Sequence, residues 1–254
     1  KEILTSEFGC GMDGLLKSRE KDLYGIINGV DYSVWNPAVD KFIAKKYDEK
    51  DLSGKAECKK GLSSAFEIKY NAKRPLIAMI TRLAEQKGID LVVNIMKDIL
   101  KQADFVILGF GDEKYNNIFK GLAKKYKGKV GVSVKFDNAL SHKIEAGADM
   151  FLMPSRYEPC GLNQMYSLKY ATVPVVRAVG GLDDTIQNFN LSNNKGNGFK
   201  FKDATNEALL KAIKDAVAVF NNKKLWDTLL KNCVSCDYSW DSSAEQYLKL
   251  YKNL

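Results

Sequence analysis

Residues 75–100, PLIAMITRLAEQKGIDLVVNIMKDIL, decide the fold of this chain. Leu76–Thr81 is a short run of mainly apolar residues, which predicts a buried strand. Ile89–Leu100 follows with apolar residues at helical spacing, which predicts an amphipathic helix. A buried strand followed by a helix that covers it is the building unit of a parallel α/β sheet, so this unit sets the class of the domain.

The same strand–helix pattern repeats along the chain. The further predicted strands are Phe105–Leu108, Val130–Phe136, Met150–Met153, Val173–Val176 and Phe199–Phe201. The helices after them are predicted at about Glu113–Tyr126, Ser141–Ala146, Leu162–Tyr170, Leu182–Asn188 and Asn206–Phe220. Six strands that alternate with helices predict an α/β, Rossmann-like, doubly wound parallel sheet, because a (β/α)₈ barrel would need eight units.

The two ends of the chain differ from this regular centre. Residues 1–29 are part of a Gly- and Asp-rich opening without a strong strand pattern, and we expect them to be extended or loosely packed. Two C-terminal helices are predicted at Leu225–Asn232 and Ser243–Tyr251. We therefore predict a domain over residues 30–235, preceded by residues 1–29 and followed by a helical segment over residues 236–254.

Composition excludes several classes of protein. The chain has 254 residues, of which 45% are hydrophobic, so it can close a core and is neither disordered nor fibrous. No stretch approaches the roughly 18 apolar residues of a membrane span, so a soluble protein without a membrane partner is expected. The net charge of +8 suits a lysine-rich surface or a basic cleft for phosphates. The lysines are spread along the chain, so no nucleic-acid partner is predicted.

The numbers and spacing of cysteines and histidines argue against a disulfide framework, a zinc site and histidine catalysis. Five cysteines, an odd number, favour a reducing compartment. Cys233 and Cys236 form an isolated pair, and a zinc site needs four ligands, so we interpret them as ordinary thiols at a helix end. His142 is the single histidine, and a packing role is expected for it. No carboxylate-rich cluster follows a strand, so neither a metal nor a cofactor is predicted.

Ligands of an open parallel sheet bind beyond the carboxyl ends of its strands, so the residues that follow each strand are the candidates. After the first strand, Arg82 and Lys87 precede a helix start and together suit a diphosphate. After the second strand, Gly109 and Gly111 would let backbone amides approach a ligand. Lys114 stands where the third glycine of the dinucleotide fingerprint would be, which argues against an NAD-dependent oxidoreductase.

The later strand ends carry an aromatic ring, a carboxylate and glycines. Phe136 could stack on a nucleobase, or it could be a buried ring that closes the sheet edge. Glu158 precedes a helix start and suits sugar hydroxyls or a developing cation. Gly180-Gly181-Leu182 offers bare backbone amides suited to phosphate, unless the glycines are simply turn formers. Together the loops predict a nucleotide-diphosphate site.

Several motifs carry a family resemblance over essentially the whole chain. They are Asn28-Gly29-Val30-Asp31, Trp35-Asn36-Pro37, Arg82-Leu83-x-x-Gln86-Lys87-Gly88, Pro154-Ser155-Arg156-Tyr157-Glu158-Pro159-Cys160-Gly161-Leu162, Gly180-Gly181-Leu182 and Tyr238-Ser239-Trp240. They closely resemble the bacterial glycogen synthase and plant starch synthase family. The resemblance implies a two-lobed (GT-B type) glycosyltransferase that transfers glucose from ADP-glucose to the non-reducing end of an α-1,4-glucan with retention.

The resemblance also implies how this chain relates to that architecture. The chain looks like the second, nucleotide-binding lobe, with residues 1–29 as the remnant of the N-terminal lobe and hinge. Residues 236–254 would form a helix that packs back on the first lobe, which also holds most of the glucan acceptor. The chain by itself is then expected to bind ADP and to elongate no glucan. The implied compartment is the bacterial cytoplasm, or the plastid in a plant or alga.

Site residues follow from the same resemblance. Arg82, Lys87 and Glu158 would be catalytic, with the two basic side chains on the ADP phosphates and Glu158 on the donor glucose. Phe136 would stack on adenine. The other nucleotide-sugar residues would be Cys160, Gly161, Leu162, Asn163, Tyr166, Gly180, Gly181 and Leu182. Asn163 stands where relatives often have Thr, and Tyr166 where the wider superfamily often has a Glu for the ribose.

A different class of function remains open from the sequence. The chain could be a non-catalytic module that binds a nucleotide or a glucan and works with a separate partner chain.

Overall fold

The computed structural model describes residues 2–253 and contains one six-stranded parallel sheet. The strands are β1 (Leu76–Ile80), β2 (Asp104–Leu108), β3 (Val130–Ser133), β4 (Met150–Met153), β5 (Val173–Arg177) and β6 (Phe199–Phe201). Their order across the sheet is β3-β2-β1-β4-β5-β6. The predicted doubly wound α/β sheet is thus confirmed.

A helix follows each strand in turn, and further helices precede β1 and follow α8. The helices are α1 (Asp13–Ser18), α2 (Gly54–Ala65), α3 (Ile89–Gln102), α4 (Glu113–Lys125), α5 (Asn138–Gly147), α6 (Asn163–Lys169), α7 (Gly180–Thr185), α8 (Asn206–Phe220), α9 (Lys223–Val234) and α10 (Trp240–Lys252). Short 3₁₀ turns lie at Glu2–Leu4, Glu20–Asp22 and Glu85–Lys87. The four inner strands β1, β2, β4 and β5 are buried on both faces, as parallel strands under two helix layers must be.

The strand order reverses between β1 and β4, and this reversal places the site. Strand β1 pairs with β2 on one side and with β4 on the other. The connections that leave β1 and β4 therefore run to opposite faces of the sheet, which opens a crevice at the carboxyl ends of the strands.

Four predicted element boundaries are wrong by three residues, among them the start of α10, which is Trp240 rather than Ser243. Strand β3 ends at Ser133 rather than Phe136, because its partner β2 ends at Leu108, the residue that pairs with Ser133. Helix α5 begins at Asn138, three residues earlier than predicted, because the Asp137 side chain accepts a hydrogen bond from Leu140 N (2.9 Å) and caps the helix. Helix α7 already ends at Thr185, and the chain is extended from Ile186.

Helix α2 is absent from the sequence prediction. It packs against α5, and its buried side includes two lysines, Lys55 and Lys59. Lys55 Nζ donates to Tyr170 O (2.9 Å) and to Thr172 Oγ1 (2.6 Å), so a buried ammonium is held by oxygens. Lysines on the buried side hide the apolar periodicity by which an amphipathic helix is recognised.

Contacts within the chain divide it into two units, Val30–Asp237 and a smaller unit that joins Lys1–Gly29 to Tyr238–Leu254. The larger unit contains the sheet. In the smaller unit, Ser243 Oγ donates to Ile27 O (2.8 Å). Short helical segments occupy part of the first 22 residues, so the expected extended chain is wrong there, whereas residues 23–29 form no helix. Lys1 and Leu254, which belong to the predicted terminal segments, lie outside the described residues. The assignment of those segments to another lobe stays a prediction.

No helix within residues 2–253 has the length and apolar character to cross a membrane. The thiols of Cys233 and Cys236 lie at the end of α9 and just beyond it, and both contact Asn197. All five cysteines are free.

Candidate functional site

A cavity of about 450 Å³ lies at the carboxyl ends of β1, β2 and β4. Residues that follow four of the strands line it, among them Thr81, Arg82, Lys87, Gly109, Phe110, Lys135, Phe136, Asp137, Asn138, Ser155, Glu158, Gly161, Leu162, Asn163 and Tyr166. The prediction that the strand-end loops meet at one edge is therefore correct for the loops after β1 to β4.

Lys87 and Glu158 form an ion pair in the wall of this cavity. Lys87 Nζ lies 2.5 Å from Glu158 Oε2, and Ser155 Oγ donates to the same oxygen at 3.1 Å. Glu158 is 8% exposed, whereas Arg82 is exposed and reaches Gln86 Oε1 at 3.2 Å. The structure thus brings a carboxylate, an ammonium and a guanidinium to one cavity, a set that can hold an anion beside a polyhydroxylated group.

Backbone packing between the loops after β1 and β4 brings Lys87 next to Glu158. Gly88 has a φ of +66°, and a Cβ there would collide with Pro154 O. Arg156 N donates to Gln86 O (2.8 Å), and Gln86 Nε2 donates to Tyr157 O (3.0 Å). A glycine is needed at position 88 both for the left-handed turn and for the close approach of the two loops.

Arginines fix the loop after β4 from two sides. Arg156 makes a bidentate pair with Asp90 of α3 at 2.7 and 2.8 Å, and its hydrogen bonds lower the pKa of that carboxyl. Arg177 at the end of β5 donates to Arg156 O at 2.7 Å. The segment that carries Glu158 is therefore held rigidly before any ligand arrives.

Phe136 is the most exposed aromatic side chain of the cavity. Its side chain is 82% exposed and follows β3 in the loop before α5. Of the two interpretations that the sequence left open, the buried ring that closes the sheet edge is wrong. An exposed ring that lines a cavity has a free face on which a planar group can stack.

The glycines at the start of α7 serve a different contact from the one predicted. Gly181 N donates to Glu158 O and Pro159 O, both at 3.2 Å, and Leu182 N donates to Val179 O. The prediction of bare amides is wrong for Gly181 and Leu182, because the first holds the backbone of the segment that carries Glu158 and the second bonds within its own turn. The Leu182 side chain is fully buried. A Cβ at Gly180 would collide with Glu158 O, so this glycine also permits the close approach.

The glycines after β2 also pack against protein. A Cβ at Gly109 would meet Thr81 O, and one at Gly111 would meet Leu83 O. They let the loops after β1 and β2 lie side by side, whereas the sequence predicted an approach to a ligand. Gly109 still lines the cavity.

The remaining predicted residues divide between the cavity and its surroundings. Gly161, Leu162, Asn163 and Tyr166 line the cavity, and Asn163 Nδ2 donates to Ile80 O at 3.0 Å. Cys160 is half-buried and is not among the lining residues within the described part of the chain. The sequence prediction places all of these residues in the site, and the structure separates the lining group from Cys160.

One lining residue that the sequence did not assign to the site is Trp35. Its ring lies between those of His142 and Tyr166. His142 is 1% exposed and its Nδ1 lies 2.8 Å from Asp40 Oδ2, in agreement with the expected packing role. The sequence did mark Trp35 through the Trp-Asn-Pro motif. The motif could not place Trp35 in the cavity, because this residue precedes every strand and the rule for strand ends does not apply to it.

A family model and two similar curated proteins indicate the same family of glycosyl transferases. The model of the family described as "Glycosyl transferases group 1" matches residues 63–224. Glycogen synthase of Koribacter versatilis is 46% identical over 252 residues, which are 99% of this chain and 52% of that protein. Glycogen synthase of Fervidobacterium nodosum is 47% identical over 253 residues, again 99% and 52%. The chain thus spans about half the length of the curated relatives it matches.

Solved structures agree with this comparison. The catalytic domain of starch synthase IV from Arabidopsis thaliana, bound to ADP and acarbose, superposes with a TM-score of 0.92 at 35% identity. The match covers 99% of this chain and 53% of that one. Sucrose-phosphate synthase from Thermosynechococcus elongatus superposes with a TM-score of 0.66 at 20% identity, a likeness of fold alone.

Proposed function

Because this chain belongs to the group 1 glycosyl transferases, we propose that it is the nucleotide-sugar-binding part of a glycogen or starch synthase. The whole protein would transfer glucose from ADP-glucose to the non-reducing end of an α-1,4-glucan, with retention at the anomeric carbon. The observation that carries this proposal is the Lys87–Glu158 pair beside Arg82 in the cavity that Phe136 also lines.

The proposed roles follow from charge. When the bond between glucose and diphosphate breaks, negative charge develops on the leaving phosphate, and Arg82 and Lys87 offset it. Glu158, the buried carboxylate next to Lys87, would accept hydrogen bonds from the sugar hydroxyls. Phe136 would stack on the base. These roles need no metal, and residues 2–253 contain no group of three or more His, Cys, Asp or Glu placed to hold one.

The nucleotide, the acceptor and the cellular compartment follow from the comparisons and from the cysteines. Starch synthase IV was solved with ADP bound, which supports ADP rather than UDP as the nucleotide here. We propose a glucan as the acceptor and no nucleic-acid partner. Five free cysteines fit a reducing compartment such as the bacterial cytoplasm, or the stroma of a plastid in a plant or alga.

Calorimetric titration of the chain with ADP and with UDP tests the proposal. We expect tighter binding of ADP, and we expect Lys87→Ala or Arg82→Ala to weaken ADP binding by roughly 1.5–3 kcal/mol, the range for hydrogen bonds to charged groups. Lys211→Ala is the matched control, because Lys211 lies exposed on α8 in a pair with Asp215. ADP affinity that survives both basic substitutions would contradict the proposal, and tighter UDP binding would reverse the choice of nucleotide.

A further inference from the structure

Trp35 occupies a constrained position in the cavity wall. Its ring centroid lies 3.8 Å from that of His142 and 4.0 Å from that of Tyr166, with interplanar angles of 6° and 2°. The indole is thus enclosed on both faces, by a ring of α5 and a ring of α6. The Tyr170 ring meets it at 74°, with a centroid distance of 6.4 Å. Trp35 therefore cannot stack on a ligand, in contrast to the exposed Phe136.

The part of Trp35 that is left to line the cavity is an edge of the indole. The polar group on that ring is Nε1–H, which is a donor and never an acceptor. No side chain or carbonyl within residues 2–253 accepts a hydrogen bond from it, and Trp35 Nε1 is not one of the buried polar atoms that lack a partner. The Nε1–H group of this lining residue is consequently accessible to solvent and has no acceptor in the described part of the protein.

A buried network holds the ring in this orientation. Asp40 Oδ2 lies 2.8 Å from His142 Nδ1 and accepts a hydrogen bond from Tyr170 OH at 2.5 Å. Asp40 Oδ1 accepts one from Phe42 N at 2.8 Å. Asp40, His142 and Tyr170 are each less than 5% exposed, so His142 cannot turn away from Trp35 without breaking buried hydrogen bonds.

We propose that Trp35 is a ligand-contacting residue whose edge-on indole N–H donates a hydrogen bond to an oxygen of the nucleotide sugar, with Asp40 and His142 as the positioning residues that hold its ring. The inference rests on the proposed function and adds to it a donor that is neutral and fixed. A fixed donor costs little conformational entropy on binding, unlike the exposed Arg82 side chain.

The test is Trp35→Phe, titrated with ADP and with ADP-glucose. Phenylalanine keeps an aromatic ring between His142 and Tyr166 but removes the N–H group. We expect binding to weaken by roughly 3- to 10-fold, the effect of one hydrogen bond. Weakening for both ligands would place the acceptor oxygen on ADP, and weakening for ADP-glucose alone would place it on glucose. Trp226→Phe, in the wall of a different cavity, is the matched control and should change neither affinity.

Trp35→Phe that binds both ligands like the unmodified chain would overturn the inference and leave the proposed function standing. An unmodified chain that binds neither ligand would instead overturn the proposed function and this inference with it. A second measurement does not depend on the folding of Trp35→Phe. In Trp226→Phe/Trp240→Phe, Trp35 is the one remaining tryptophan of three, and its emission should change on addition of ADP-glucose. Unchanged emission would contradict the contact.

The positioning role of Asp40 can be tested separately by adding Asp40→Asn to Trp226→Phe/Trp240→Phe. Asp40→Asn should weaken the near-ultraviolet circular dichroism of Trp35, because the ring loses its fixed orientation. It should also lower affinity for the ligand that Trp35→Phe affects. An unchanged tryptophan signal together with unchanged affinity would show that Asp40 does not position the ring.

Discussion

At the scale of single residues, Glu158 and Lys87 have to be considered together. Glu158 Oε2 accepts from both Lys87 and Ser155, and its side chain is almost closed to solvent. A buried charge that loses its partner is destabilising, so Lys87→Ala both removes the proposed phosphate contact and leaves Glu158 uncompensated. The double variant Lys87→Ala/Glu158→Gln separates the two effects, because it removes both charges of the pair.

For Phe136 we predict an effect on ADP binding without an effect on stability. Its ring is 82% exposed, so it contributes little to the core. We expect Phe136→Ala to weaken ADP binding by about 1–3 kcal/mol, the value of a base–aromatic stack, and to leave the free energy of unfolding within about 0.5 kcal/mol. Calorimetry with ADP and denaturant unfolding measure the two quantities.

Two further variants complete that experiment. Phe136→Tyr keeps the ring face and should bind ADP as the unmodified chain does. Leu191→Ala removes a comparably exposed apolar side chain that is not among the cavity-lining residues, and it should leave ADP binding unchanged. A loss of stability in Phe136→Ala as large as the loss of affinity would mean that the ring supports the fold rather than the ligand.

Candidate site residues that follow a strand could be predicted from the sequence, whereas those placed by contacts between distant residues could not. Arg82, Phe136 and Glu158 each follow a strand, so a correct strand pattern and the rule for parallel sheets suffice to bring them together. The stack of Trp35 on Tyr166 joins residues far apart in sequence, and no local pattern encodes it. The use of the Gly181 amide by the Glu158 carbonyl is equally non-local.

At the scale of elements, apolar periodicity identified every strand and the long helices of the sheet but not α2. That helix carries Lys55 and Lys59 on its buried side, where a pattern based on polarity expects solvent. The structure resolves the conflict with oxygen partners, since Lys59 pairs with Asp149 at 2.7 Å and donates to Arg74 O. Tertiary contacts, not propensity, explain this helix.

The packing of α2 on α5 predicts a pH dependence of stability through Glu145. Burial raises the pKa of this carboxyl from 4.5 to about 8, against the opposing effects of the Ser167 hydrogen bond and Lys55. The unfolded chain releases the proton near pH 4.5 and the folded chain only near pH 8. Glu145 therefore lowers the free energy of unfolding as pH rises through this window.

Glu145→Gln removes that titration while keeping an oxygen for Ser167. We expect the variant to gain free energy of unfolding relative to the unmodified chain as pH rises from 5 to 8, by roughly 1 kcal/mol per pH unit. Denaturant unfolding at several pH values measures this. Burial lowers the pKa of Lys55 from 10.5 to about 8, so its effect falls above this window. Glu207→Gln, at an exposed position of α8, should show no such trend. Parallel curves for Glu145→Gln and the unmodified chain would contradict the assignment.

At the scale of the whole molecule, the strand order decides where a ligand can bind. The reversal between β1 and β4 separates the loops that carry Lys87 and Glu158 enough to leave a cavity. The Gly88 contact with Pro154 then returns the two side chains to ion-pair distance. The site therefore depends on both the topology and one glycine, and the sequence pattern alone indicated only the topology.

The last prediction is that a polypeptide of these 254 residues binds ADP but transfers no glucose to glycogen. Every cavity-lining residue belongs to one unit of the chain, and both Phe136 and Arg82 are exposed. On the proposed roles, affinity for a nucleotide needs only groups of this unit. Catalysis also needs stabilisation of the transition state and an acceptor held in an attack geometry. The curated relatives are about twice as long, with 52% of the first two covered by this chain.

The measurement pairs two assays on one preparation. Calorimetry should detect ADP binding, while radiolabelled glucose from ADP-glucose should stay out of glycogen over the same hours. A full-length relative, the glycogen synthase of Koribacter versatilis, serves as the positive control for transfer. A module that works with a separate partner chain would give the same result as the 254-residue polypeptide in both assays. Label incorporated by the 254-residue polypeptide would refute the prediction, because it would mean that the residues on this one cavity wall suffice to hold both the donor sugar and the acceptor.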